Sequence, residues 1–263
     1  MVLIVTGGGS GIGAAVAELA TAAGAQVVIS GRRRDALEQV AERTGALVHA
    51  ADLTTPGAPE ALVGAALEAY GRVDAVVANA GVMRSGGLLE VSEQSWRDSL
   101  ETNLTAVFRL ARAAMPHLVR SRGALVTVSS IAALRAPAGA VAYASAKAAV
   151  TMLTQSIAVE FGPRGVRANT VCPGWVRTEM ADMEMREFGE PEGLSVPDAY
   201  AEVTRLSPQR RPAAPAEVAE AIWWLAGPAA SAVNGAVLTV DGGTTVIDPG
   251  TVPFEVRLTP RRP

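Results

Sequence analysis

Residues 2–13 read VLIVTGGGSGIG, a short apolar run that passes directly into a cluster of glycines. Val2, Leu3, Ile4 and Val5 show no polar alternation, which describes a strand covered on both faces. An alanine-rich helical stretch follows to about Ala23, with Gly24 as its stop signal. Glycines between a first strand and a first helix let the backbone come close to a pyrophosphate, whose charge meets the helix N-terminus. In that setting Thr6, Gly7, Gly9, Ser10, Gly11, Ile12 and Gly13 read as a dinucleotide-binding loop, against the plainer alternative of a tight turn.

Working outward, strand patterns recur at residues 26–30, 46–50, 74–78, 124–129, 166–171 and 236–240, separated by mostly helical stretches. Seven strands alternating with helices predict an α/β fold, a Rossmann-type doubly wound parallel sheet with helices on both faces. Residues 1–243 are expected to form a single dinucleotide-binding catalytic domain. Two segments break the rhythm. Residues 179–214 show no clean helical period and read as a substrate loop or lid. Residues 244–263 read as a C-terminal extension: a disordered tail, or an arm that packs through Phe254, Val256 and Leu258.

The chain has 263 residues, 49% hydrophobic and 19% charged, which excludes a disordered polymer. A net charge of −3 argues against nucleic acid or an anionic membrane as partner. Cys172 is the only cysteine, so no internal disulfide forms. No run approaches the roughly 18 apolar residues of a membrane span, and His49 and His117 stand apart without a metal-ligand pattern. A cytoplasmic protein without a metal is expected.

Every basic residue but one is arginine, and the exception, Lys147, lies four positions after Tyr143. On a helix the two share a face. An ammonium beside a phenol favours the phenolate, and an arginine fork is a poorer compact, titratable charge. The pair therefore reads as a general acid/base. After the second strand the chain runs Ser30-Gly31-Arg32-Arg33-Arg34, with glycine where an acidic residue would hold ribose hydroxyls. Arg32 first and Arg33 second are the candidate ligands of a 2′-phosphate, which favours NADP(H), with NAD(H) the alternative.

Together these residues resemble the short-chain dehydrogenase/reductase family, over nearly the whole chain up to about Gly243. The loop from Thr6 to Gly13 is similar to the family's cofactor loop. Asp52, with Leu53 beside it, matches the aspartate at the adenine; Asn79-Ala80-Gly81 matches the motif after the fourth strand. The resemblance implies catalytic roles for Asn103, Ser130, Tyr143 and Lys147. Tyr143 would transfer the proton, Ser130 rather than Ser129 would stabilise the carbonyl oxygen, and Lys147 would also hold the nicotinamide ribose. Asn103 would position a water joined to Lys147. Pro173, Gly174, Val176 and Thr178 would line the nicotinamide side.

The family further implies interconversion of a ketone and a secondary alcohol. Small apolar residues after Ser130, with Leu134, Trp175, Met180 and Met183, suggest a hydrophobic small-molecule substrate, and Arg135 is a candidate partner for an acidic group. Similarity to bacterial ketoreductases and 3-oxoacyl-(acyl-carrier-protein) reductases leaves a carrier-protein-bound substrate open. A homotetramer is expected through the long helices near 92–120 and 141–161 and the last strand. The rival readings are an NAD-dependent alcohol or sugar-like dehydrogenase and a non-catalytic cofactor-sensing protein.

Overall fold

Aliphatic side chains alternate between two helical layers along the central strands, which is why runs such as residues 2–5 and 75–78 are apolar without interruption. The computed structural model describes residues 1–251. Seven strands, β1 (Val2–Thr6), β2 (Gln26–Gly31), β3 (Leu47–Ala50), β4 (Ala75–Ala78), β5 (Ala124–Val128), β6 (Arg167–Pro173) and β7 (Val237–Val240), form one sheet. Its order is β3-β2-β1-β4-β5-β6-β7, and every pairing is parallel. The predicted doubly wound Rossmann-type fold is the observed one.

Leu3, Val5, Ile29, Val77 and Val126 face a layer made by α1 (Gly11–Ala22), α2 (Arg34–Thr44) and α9 (Pro215–Ala226). Ile4, Val28, Val76 and Leu125 face the opposite layer of α3 (Ala58–Tyr70), α5 (Ala106–Ser121) and α6 (Val141–Phe161). Because the winding reverses between β1 and β4, the loops leaving these strands part and open a crevice at the carboxyl edge of the sheet.

Two expectations need correction. The stretch near 92–120 is not one continuous helix: α4 (Glu93–Leu100) passes through a single π turn, Glu101–Thr105, before α5 begins. That turn contains Asn103, and such turns concentrate at functional sites. Residues 179–214 are not irregular throughout, since they contain α7 (Glu179–Gly189) and α8 (Val196–Val203). Ala181 and Met185, one turn apart, pack on Ala199 and Tyr200 in a small core of their own. This stripe is too short to stand out as a period among Gly, Pro and charged residues.

Trp223 packs against the first layer while Trp224 remains 42% exposed, as adjacent positions on a helix require. After β7, Asp241 ties down the next turn by accepting from the backbone N–H and the hydroxyl of Thr245. The expected arm through Phe254, Val256 and Leu258 lies outside the described residues. Among the described residues no helix is long and apolar enough to cross a membrane.

Candidate active site

Three glycines make the phosphate loop possible. Gly7 and Gly11 have φ of +66° and +53°, the left-handed region. A Cβ on Gly13 would stand 2.2 Å from the Gly7 carbonyl oxygen, so only glycine allows α1 to start so close to the loop. Ser10 is the N-cap of α1, yet its hydroxyl makes no capping bond. The first-turn N–H groups are therefore left without a side-chain partner among the described residues, an arrangement suited to an anion. Thr6 takes a different place from the one implied by the resemblance. Its buried hydroxyl accepts from the backbone N–H groups of Asn79 and Ala80, each at 3.0 Å, and so staples the β4 loop to β1. The Asn79 amide completes the staple by donating to the Thr6 carbonyl at 2.9 Å.

After β3, Asp52 accepts two bonds from Thr54, which hold its carboxyl below the usual range and keep it ionised. Leu53 beside it is buried. The arginines divide. Arg33 donates to the Ser10 hydroxyl at 3.0 Å and pairs with Glu179 of α7 at 2.8 Å. Arg32 is exposed and has no bond or ion pair among the described residues. Arg33 is thus a bridge between the phosphate loop and α7, while the charge of Arg32 acts on the Asp52 carboxyl.

Tyr143 and Lys147 project from the first turns of α6, and the Lys147 Nζ lies 5.6 Å from the phenol ring centroid. Lys147 is buried and donates to the Val128 carbonyl at 2.9 Å. Burial lowers its pKa to about 8, and desolvation raises that of Tyr143 to about 12, against an opposing pull from the Ser130 hydroxyl. The two serines separate cleanly. Ser129 donates to the Lys147 carbonyl at 2.8 Å and is a backbone clamp on α6; Ser130 faces the phenol and accepts from the Ala132 N–H. Asn103 is buried, its Oδ1 accepting from the Val82 N–H and its amide donating to the Val82 and Ser99 carbonyls. A Cβ on Gly81 would stand 2.8 Å from Asn103 Oδ1 and 3.3 Å from Lys147 Nζ, so this glycine lets the two converge.

The segment after β6 closes the other side. Gly174 runs so near Asp241 that a Cβ would meet it at 3.0 Å. Val176 bridges Ala213, and Thr178 caps α7 by accepting from the Ala181 N–H. The Thr178 methyl packs on Gly11, which joins the start of α7 to the phosphate loop.

Comparison with known proteins agrees with this geometry. A family model described as enoyl-(acyl carrier protein) reductase matches residues 7–245. Protein MoaE of Klebsiella aerogenes is 42% identical over 96% of this chain and 98% of its own. The chain belongs to the short-chain dehydrogenase/reductase family. Meso-2,3-butanediol dehydrogenase of Serratia marcescens is 35% identical over 94% of this chain and 95% of its own. An actinorhodin polyketide ketoreductase variant solved with NADPH superimposes with a TM-score of 0.86 at 33% identity, covering 92% of this chain and 96% of its own. As a short-chain dehydrogenase/reductase, the protein is an NAD(P)-dependent oxidoreductase of alcohol and ketone groups.

Within this family frame, the candidate substrate residues are not all brought together. Leu134 is 37% exposed beside the cleft, and Trp175 packs with the small core under α7. Met183, two positions after buried Ala181, faces away from the small core; it is three positions after Met180 and so shares its side of α7, and the two are 55% and 43% exposed. Arg135 is tied to the Thr245 carbonyl at 3.0 Å and does not reach for an acidic substrate group. Sequence reading missed Glu184, a half-buried carboxyl on α7 whose charge acts on the Tyr143 phenol. An apolar pocket had been expected, and one glutamate in a charged segment carried no signal. A cavity of about 640 Å³ lies at the amino edge of the sheet near Arg122 and Arg167, away from this chemistry.

Proposed function

We propose that the chain interconverts a ketone and a secondary alcohol with NADP(H) as the preferred cofactor, using Ser130, Tyr143, Lys147 and Asn103 as a proton relay. The observation that carries the reading is the placement of Lys147, desolvated behind Tyr143, with Ser130 on the phenol. A nicotinamide cofactor bound along the crevice would supply or take up the hydride at the carbonyl carbon. In the reductive direction Ser130 donates a hydrogen bond to the carbonyl oxygen as negative charge develops there. Tyr143 gives its proton to that oxygen, so the C=O π bond is replaced by C–H and O–H bonds. Near neutral pH the Lys147 ammonium lowers the cost of the phenolate left behind. Asn103 holds the Val82 loop and thereby the space around Lys147.

Backbone N–H groups at the start of α1, with Gly7, Ser10, Gly11 and Gly13, would hold the pyrophosphate, Asp52 the adenine, and Thr178 the nicotinamide side. Arg32 supports the preference for a 2′-phosphate, because it is exposed and, apart from the nearby Asp52 charge, makes no bond or ion pair among the described residues. A homotetramer through α4–α6 and β7 fits the exposed Phe108, Met152 and Val159. The test is oxidation of NADPH and NADH against a panel of carbonyl compounds. Turnover with a higher kcat/KM for NADPH is expected. Cofactor binding with no turnover would favour the cofactor-sensing alternative, and a clear NADH preference would overturn the cofactor assignment.

A further inference from the structure

Lys147 is attached to the sheet at both ends of the residue. Its Nζ donates to the Val128 carbonyl at 2.9 Å, and its own main-chain carbonyl accepts from the Ser129 hydroxyl at 2.8 Å. Val128 and Ser129 are consecutive at the end of β5, and the Ser129 N–H is itself held by the Val171 carbonyl of β6 at 2.8 Å. Thr151, one turn after Lys147, brings its hydroxyl within 2.9 Å of the same Lys147 carbonyl and 3.0 Å of Ser129 Oγ. Ser129, Lys147 and Thr151 are all buried, so water does not compete for these bonds.

The other buried side chains of α6 include Ala142, Ala146, Val150 and Ala158. Aliphatic contact is non-directional, so on its own it lets a helix slide or turn slightly on a sheet. Buried hydroxyls are directional, and leaving one unpaired is costly. One bond would fix a point and leave rotation about it; two bonds from opposite ends of Lys147 fix both. The catalytic pair flanks this junction: Ser130 directly follows Ser129, and Tyr143 lies one turn before Lys147. A second hydroxyl layer, Thr127 with Thr154 at 2.8 Å and with Thr170 at 3.1 Å, binds α6 to the sheet further from the site. It touches no member of the relay.

We infer that Ser129 and Thr151 are positioning residues for the reaction, whose hydroxyl junction on the Lys147 carbonyl sets the Ser130 hydroxyl against the Tyr143 phenol. This deepens the proposed function and rests on its relay. Neither residue touches the reacting atoms: Ser129 commits its proton to the Lys147 carbonyl, and Thr151 shares its own between that carbonyl and Ser129. They act on the chemistry through geometry, because a reacting group displaced by about 1 Å loses up to about a hundredfold in rate. The relay thus inherits its alignment from one residue of α6 and two of β5 and its exit.

The test measures kcat and the KM for NADPH with the fastest carbonyl substrate of the panel, together with thermal melts. Ser129→Ala and the isosteric Thr151→Val are each expected to lower kcat by about tenfold and to change the KM for NADPH by less than about twofold. Thr151→Ser, which keeps the hydroxyl, should retain wild-type kcat. Thr154→Val, in the second layer, should lower the melting temperature and leave kcat within about twofold. In a Ser130→Ala background, adding Ser129→Ala should cost about threefold or less, because the hydroxyl it aligns is gone. An undiminished tenfold cost there, wild-type kcat in both Ser129→Ala and Thr151→Val, or an equal kcat loss in Thr154→Val would overturn this inference alone. A wild type that binds NADPH and turns over no carbonyl compound would overturn it together with the proposed function.

Discussion

Lys147 donates its buried Nζ to the Val128 carbonyl at 2.9 Å while standing 5.6 Å from the Tyr143 ring centroid. The carbonyl at the end of β5 thus fixes the ammonium behind the phenol, where its charge is poorly screened by water. Removing the phenol oxygen should separate chemistry from architecture. Tyr143→Phe is expected to keep its fold and NADPH affinity, seen by circular dichroism and cofactor fluorescence, with kcat reduced by about a thousandfold.

Arginine retains the positive charge but not the fit. Lys147→Arg must bring a planar fork into a space bounded by Val128, Asn103 and Gly81. Steady-state kinetics are expected to show most activity lost. Retention of half the wild-type kcat would mean that charge alone is enough.

The same lysine makes stability depend on pH. Its folded pKa of about 8 is below the ordinary 10.5, so the desolvated ammonium destabilises the fold in full below pH 8. Between pH 8 and 10.5 the unfolded chain binds more protons, and stability rises with pH. Tyr143, raised from 10 to about 12, acts oppositely, because the folded protein retains a proton that the unfolded chain releases, and stability falls across that interval. Lys147→Met should therefore be more stable than wild type at pH 7. The net gain is about 2 kcal/mol after loss of the bond to Val128. Thermal melts at pH 7 and pH 10 should show the advantage shrinking at the higher pH.

Arg32 and Arg33 are neighbours with different commitments, the first without a bond or ion pair among the described residues and the second bridging Ser10 to Glu179. Arg32→Ala should raise the KM for NADPH by about tenfold or more and affect NADH far less. Arg33→Ala should have the smaller effect on the ratio of cofactors. Equal kinetics of Arg32→Ala with both cofactors would remove the phosphate role.

Gly13→Ala places a methyl 2.2 Å from the Gly7 carbonyl oxygen, a backbone atom that cannot swing aside. Cofactor titration by fluorescence should show NADPH binding weakened by at least about a hundredfold. Wild-type affinity would show that the loop can rearrange.

Much of this site was legible because its signals are local. Mainly apolar runs marked the seven strands, glycines marked the phosphate loop, and an i, i+4 spacing joined Tyr143 to Lys147. The choice between Ser129 and Ser130 became physical only once Ser129 was seen to donate to the Lys147 carbonyl. Helices α7 and α8 were missed because their stability comes from a few contacts among Ala181, Met185, Ala199 and Tyr200, not from a long amphipathic period. Asn103 was identified, but the π turn that carries it has no spacing signature.

The residue order by itself determined the parallel sheet, the glycine loop and the shared face of Tyr143 and Lys147, because strand burial, φ preference and helical periodicity act over a few neighbouring residues. Tertiary structure decided which charges are available. It tied Arg33 to Ser10 and Glu179, left Arg32 exposed, and withdrew Arg135 to the Thr245 carbonyl. Such pairings join residues far apart in the chain, and their strength depends on separation and burial, which exist only after the elements have packed.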